Sequence, residues 1–176
     1  MPGCLVLVVG PSGAGKDTLL RLARATLAGD PRYVFPRRLV TRPPSADEDN
    51  DELDEAAFAE GCAAGRFTLS WRAHGLGYAL PEAVGRRVAE GHVVVCNVSR
   101  RVVAGARESG RRVSVVEITA PPAILARRIA ARGRAQDGDL AARLAREGGV
   151  TADLTILNTG AADEAAARLV AHLRAC

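Results

Sequence analysis

Aromatic side chains make up only 3% of this 176-residue chain. Binders of single-stranded nucleic acid stack bases on exposed rings, so the scarcity argues against a platform of that kind. Lysine is scarcer still. Lys16 is the sole lysine, and the net charge of +4 is carried by arginine. That surplus, without a basic run or a recognition motif, suits an enzyme handling several phosphates and gives no reason to expect a nucleic-acid partner. Cysteines at metal-binding spacing are missing: Cys4, Cys62, Cys96 and Cys176 are scattered, which points to neither a zinc site nor a disulfide framework. No charged leader precedes the first apolar run, and no apolar stretch is long enough to span a bilayer. The expectation is a cytoplasmic protein without a membrane partner.

What is present reads as a globular protein. Hydrophobic residues are 48% and charged residues 25%, and the length suits one domain with one core. Strand-like runs alternate with helical patterns. "CLVLVV" (4–9) ends at Gly10, and "DTLLRLARATLA" (17–28) has helical spacing. "HVVVCNV" (92–98) and "RVSVVEIT" (112–119) are continuous β-branched runs, as expected of strands covered on both faces. "PAILARRIAARG" (122–133) opens on proline and stops at glycine, the usual order for a helix. "LTILN" (154–158) is a last short strand and "DEAAARLVAHLRA" (163–175) a closing helix. The alternation predicts an α/β protein with a parallel sheet. Residues 43–91 are less regular and read as an insertion with small elements of its own.

Gly10 to Lys16 fits G-x-x-x-x-G-K, after a strand and opening a helix. Gly10, Gly13 and Gly15, with Pro11, Ser12 and Ala14 between them, let the backbone curl so that its N–H groups converge on phosphate oxygens. The helix that follows adds its positive end. Lys16 places a compact charge between the terminal phosphates. Asp17 stands where a hydroxyl usually ligates Mg²⁺; a carboxylate also binds that ion, directly or through water, and Thr18 is a substitute hydroxyl.

Around this loop, "LVTRPPS" (39–45), "LSWRAHGLGYAL" (69–80) and "RRIAARGR" (127–134) follow in the order found in guanylate kinases. The resemblance covers nearly the whole chain. It implies a P-loop kinase of the nucleoside-monophosphate-kinase type: a three-layer α/β fold with a parallel core sheet (about 1–42 and 92–176), an acceptor-binding insertion (about 43–91) and a short lid (about 132–146). Several departures bear on the acceptor. Guanylate kinases read "LEW" where this chain has Leu69-Ser70-Trp71, and serine is a poor substitute for a two-oxygen acceptor facing guanine. An arginine of theirs is replaced by Ser45, their phosphate-binding tyrosine near Asn50 is missing, and their acidic residue on the later strand is Asn97. Arg38, in turn, stands where they have a small hydroxyl residue.

This combination resembles the ribose 1,5-bisphosphate phosphokinase family of phosphonate breakdown. Shared features are "GPSGxGKD", an "RxxTR" segment at Arg38 and Arg42, "LSW", a "GxxY" ending in Tyr78, and "NxSR" from Asn97 to Arg100. In that family the aspartate after the lysine is a common trait. The resemblance implies transfer of the γ-phosphoryl of ATP to the 1-phosphate of ribose 1,5-bisphosphate, with Mg²⁺ as cofactor. An anionic phosphate acceptor needs no strong base, so alignment and charge neutralisation carry the reaction.

Lys16, Arg134 and Arg143 are the candidate catalytic residues, with Arg132 beside them on the lid and Arg128 and Arg146 as lesser choices. Gly10 to Thr18 and Asn158 are expected to bind the nucleotide. Arg38, Arg42, Ser70, Tyr78, Asn97, Ser99 and Arg100 are expected around the acceptor, and Asp17 at the metal. Arg37 competes with its neighbour for the phosphate role. Trp71 is expected to pack in the core, His74 to sit in a solvated loop, and His92 and His172 to be structural or exposed. The acidic run "DEDNDELDE" (47–55) reads as a solvated loop leading to a helix capped near Asp51 or Asp54. The competing readings are a guanylate kinase, which Ser70 opposes, and a non-catalytic interaction module, which the retained phosphate loop opposes. A GTPase switch would need an N-K-x-D segment, and Lys16 is the sole lysine.

Overall fold

The computed structural model describes residues 2–43, 49–132 and 149–176, and of Arg132 the backbone alone. The expected Arg134, Arg143, Arg146, Ser45 and Asp47 lie outside the described residues. So does most of the expected lid.

The apolar runs form a parallel sheet. β1 (Cys4–Val9) lies at its centre, flanked by β7 (Val93–Asn97) and β8 (Val113–Thr119), with β2 (Tyr33–Val34) and β9 (Leu154–Leu157) at the edges. β1 and β7 lack polar alternation because both their faces are covered. Cys4, Val6 and Val8 point into a cluster with α1 (Lys16–Leu27) and α6 (Ala162–Ala175). Leu5, Leu7 and Val9 point into another with α3 (Glu82–Ala89) and α4 (Val103–Glu108). Burying each of these leucines stabilises the fold by about 1.5–3 kcal/mol. Cys4 and Cys96 behave as small hydrophobes, and burial pushes the Cys96 thiol up to about 12. α5 (Pro122–Arg132) connects β8 toward β9.

A second sheet, of order β4-β3-β6-β5, is built from β3 (Arg38–Val40), β4 (Asn50–Glu52), β5 (Phe67–Ala73) and β6 (Leu76–Pro81). Its β5–β6 hairpin turns through His74 and Gly75, both with positive φ, as a two-residue type I′ turn requires. α2 (Glu55–Ala63) covers the face away from the core, and Asp54 caps it by accepting from the Ala57 N–H at 2.7 Å. The acidic run is therefore not only a solvated loop. Its middle pairs in parallel with β3, and its single amide, Asn50, is buried.

Candidate active site

The phosphate loop leaves the C-terminal end of β1 and enters α1, at the strand ends where open α/β sheets bind ligands. Gly10 has φ 147°, and a Cβ there would stand 1.9 Å from the Ile118 carbonyl oxygen. Gly15 caps α1 at φ 91° with no side-chain cap, so the first-turn N–H groups are left to an anion. The Lys16 ammonium donates to the Gly10 and Pro11 carbonyls at 2.7 and 3.0 Å, which holds it over the loop.

Two residues brace this loop from behind. The buried Asn158 amide donates to the Ala14 carbonyl at 2.8 Å, and it lies where a Cβ on Gly15 would go. Arg128, on α5, donates to the Gly13 carbonyl at 3.2 Å and to the Asn158 carbonyl at 2.8 Å. Asn158, expected at the nucleotide, donates its amide to the backbone of the phosphate loop. Arg128, a lesser lid candidate in the sequence, ties helix, loop and last strand together.

Beside the loop opens a cleft of about 590 Å³. α1 supplies Asp17, Thr18, Arg21 and Arg24; the segment before β3 supplies Phe35 to Arg38; β4 supplies Asn50 and β7 supplies Asn97. The Asn97 amide donates to one Asp17 carboxylate oxygen at 3.0 Å. Arg38 donates to the Asn50 side-chain oxygen at 3.1 Å and the Asn97 carbonyl at 3.3 Å, and lies over the Tyr78 ring. Asn50 is a residue the sequence reading passed over. Its signal was an amide inside a run of carboxylates.

The candidates divide by location. Arg38, Tyr78, Asn97 and Asp17 come together around the cleft, and half-buried Arg42 follows β3 closely. Arg100 instead pairs with Glu117 at 2.8 Å beneath the strand ends, and Ser99 accepts from the Arg101 N–H as a cap. Ser70 faces away from Tyr78. Trp71 pairs across the hairpin with Tyr78 and stacks on it at 5.5 Å, whereas Ser70 pairs with Ala79 on the opposite side. There its hydroxyl meets Cys62 of α2, and its neighbour Arg72 pairs with Glu55 of that helix. Trp71 packs in the core, as expected.

The hard oxygens of Asp17 and Thr18 share one helical turn at the cleft wall, a donor set that fits a divalent cation retaining its waters. Among the described residues no helix is long and apolar enough to cross a membrane, and no cluster of His, Cys, Asp and Glu forms a metal site.

A curated protein of Methylobacterium radiotolerans, named ribose 1,5-bisphosphate phosphokinase PhnN, is 98% identical over 176 residues and 100% of both chains. The chain belongs to the ribose 1,5-bisphosphate phosphokinase family. A relative of the same name from Bradyrhizobium diazoefficiens is 51% identical over 176 residues, covering 98% of this chain and 89% of its own. The crystal structure of guanylate kinase from Anaplasma phagocytophilum superposes with a TM-score of 0.73 at 22% identity, covering 98% of this chain and 85% of that one. That likeness shows the guanylate-kinase-like α/β fold. No protein-family model matches the chain. Membership in the phosphokinase family agrees with a cleft whose carboxylates are already engaged: Asp17 by Asn97, and Asp49 by arginines.

Proposed function

We infer that the protein transfers the γ-phosphoryl of ATP to the 1-phosphate of ribose 1,5-bisphosphate, giving 5-phosphoribosyl 1-diphosphate and ADP. The observation that carries this reading is the arginine-rich cleft beside the phosphate loop, with an amide where a guanine kinase has a carboxylate. An acceptor bearing two phosphates matches a wall containing Arg21, Arg24, Arg37 and Arg38.

The loop amides and Lys16 would hold the β- and γ-phosphates of the donor. Arg38 and Asn97, with Arg42 and Tyr78, would orient the acceptor phosphate in line with them. Asn158, Arg128, Ser99 and Arg100 act as positioning residues by virtue of their bonds to the loop, the 3₁₀ turn and Glu117. Asp17, with Thr18, would hold Mg²⁺ directly or through water. The ion supplies neutralisation of the phosphate charge when bound. The acceptor oxygen is already anionic, so proximity and fixed charge lower the barrier without a general base. The expected lid arginines Arg132, Arg134 and Arg143 would close the donor side, and the chain would work as one domain in the cytoplasm.

An ADP-release assay with ATP and Mg²⁺ tests this, offering ribose 1,5-bisphosphate and GMP in parallel. Turnover is expected with the sugar bisphosphate and not with GMP, and Lys16→Ala should lower it by at least about 100-fold. Turnover with GMP alone would make the protein an unusual guanylate kinase. Silence on both, with ATP bound, would point to another acceptor.

A further inference from the structure

The loop reading of the acidic run leaves Asp49 without a role, yet both of its oxygens are taken. Arg24, on α1, donates to one at 2.9 Å, and Arg37, just before β3, approaches the other at 2.8 Å. Two guanidinium groups from separate elements thus converge on one anion at the cleft wall. Arg37 is further fixed by Asp51 at 3.2 Å and by the Asn50 carbonyl at 3.0 Å. The side chains are about half exposed, at 58% for Arg24, 48% for Arg37 and 60% for Asp49. Ion pairs this exposed contribute little stability, so a better anion displaces the carboxylate at small cost. Each guanidinium fork takes two oxygens, and a phosphate offers three oxygens and more charge to the two arginines than one carboxylate does.

Position says which phosphate. Asp17, at the transfer end, and Arg24 lie two turns apart on one face of α1, about 10 Å along its axis. Apolar groups, Leu20, Phe35 and Val95, line the space along the way. We propose that Arg24 and Arg37 form the subsite for the non-reacting 5-phosphate of the acceptor, and that Asp49 occupies it as a displaceable internal anion. The inference rests on the ribose-bisphosphate reading for the identity of the acceptor, but its binding test does not need turnover.

Ribose 5-phosphate carries the distal phosphate without the acceptor one, so it is the probe. Calorimetric titration of the full chain should show binding that weakens about 10- to 100-fold in Arg24→Gln/Arg37→Gln. Arg86→Gln, which removes a remote exposed charge, serves as control and should bind like the parent. Asp49→Asn should tighten binding several-fold, since the competing anion is gone. In the ADP assay, the double variant should lose most of the preference for ribose 1,5-bisphosphate over ribose 1-phosphate. If the probe does not bind, or binds equally well to the double variant, the subsite is wrong. Weaker binding in Asp49→Asn would make the carboxylate a scaffold for the arginines and overturn the displacement. Inorganic phosphate binding as tightly as the sugar phosphate would make this a free-anion site and overturn the assignment. If no sugar phosphate is turned over while the probe binds through Arg24 and Arg37, the subsite stands and the proposed reaction falls.

Discussion

Gly10 sits against the Ile118 carbonyl with no room for a methyl group, and its positive φ adds backbone strain for any other residue. Gly10→Ala should cost at least about 2 kcal/mol, enough to lower Tm by about 5 °C or more, as a thermal melt would read. ATP affinity should fall with it, because the strand exit and the loop are one backbone path. The glycine spacing was readable in the sequence. The reason Gly10 cannot change was not, because its neighbour is 108 residues away on β8. Lys16 shows the same division: its identity stood out as the sole lysine, while its carbonyl partners are a product of the loop's curl.

At the scale of elements, the phosphate loop is held by a helix and a strand that follow it by more than a hundred residues. Asn158→Ala removes a buried donor and strands the Ala14 carbonyl, a loss of about 1–3 kcal/mol. ATP binding should weaken by about tenfold, and acceptor binding less, because Asn158 does not line the cleft. Equal losses for both ligands, measured by titration, would argue against a brace specific to the loop. The Ser70 placement teaches the converse lesson. The sequence expects Ser70 and Tyr78 around one acceptor, but side chains alternate across a strand, and the hairpin register sets Trp71, not Ser70, on the face that carries Tyr78. Register depends on cross-strand pairing and the His74-Gly75 turn, which a linear motif does not encode.

At the scale of the molecule, α6 packs along α1 and carries His172, whose ring bonds the Ser114 hydroxyl on β8 at 2.8 Å. Burial lowers the imidazole pKa below its ordinary 6.5, with Asp153 opposing in part. The unfolded chain then binds a proton that the folded one resists. This contribution is complete above about pH 7 and is lost as the pH falls below about 6.5. Melts from pH 7.5 to 5.5 should therefore fall more steeply for the parent than for His172→Gln, and parallel curves would show that His172 does not contribute.

By itself the sequence determined the fold class, the strand and helix order, the phosphate loop and the family resemblance. These rest on local chemistry: apolar runs, glycine freedom, and residue types at short fixed spacing. Only the tertiary structure decided which side chains share the cleft. It brought Asn50 and Asp49 out of an acidic run and onto arginines, turned Ser70 away, and set Arg128 behind the loop. Those outcomes depend on which face each strand turns to its neighbour and on contacts between elements far apart in the chain, where spacing along the sequence carries no information.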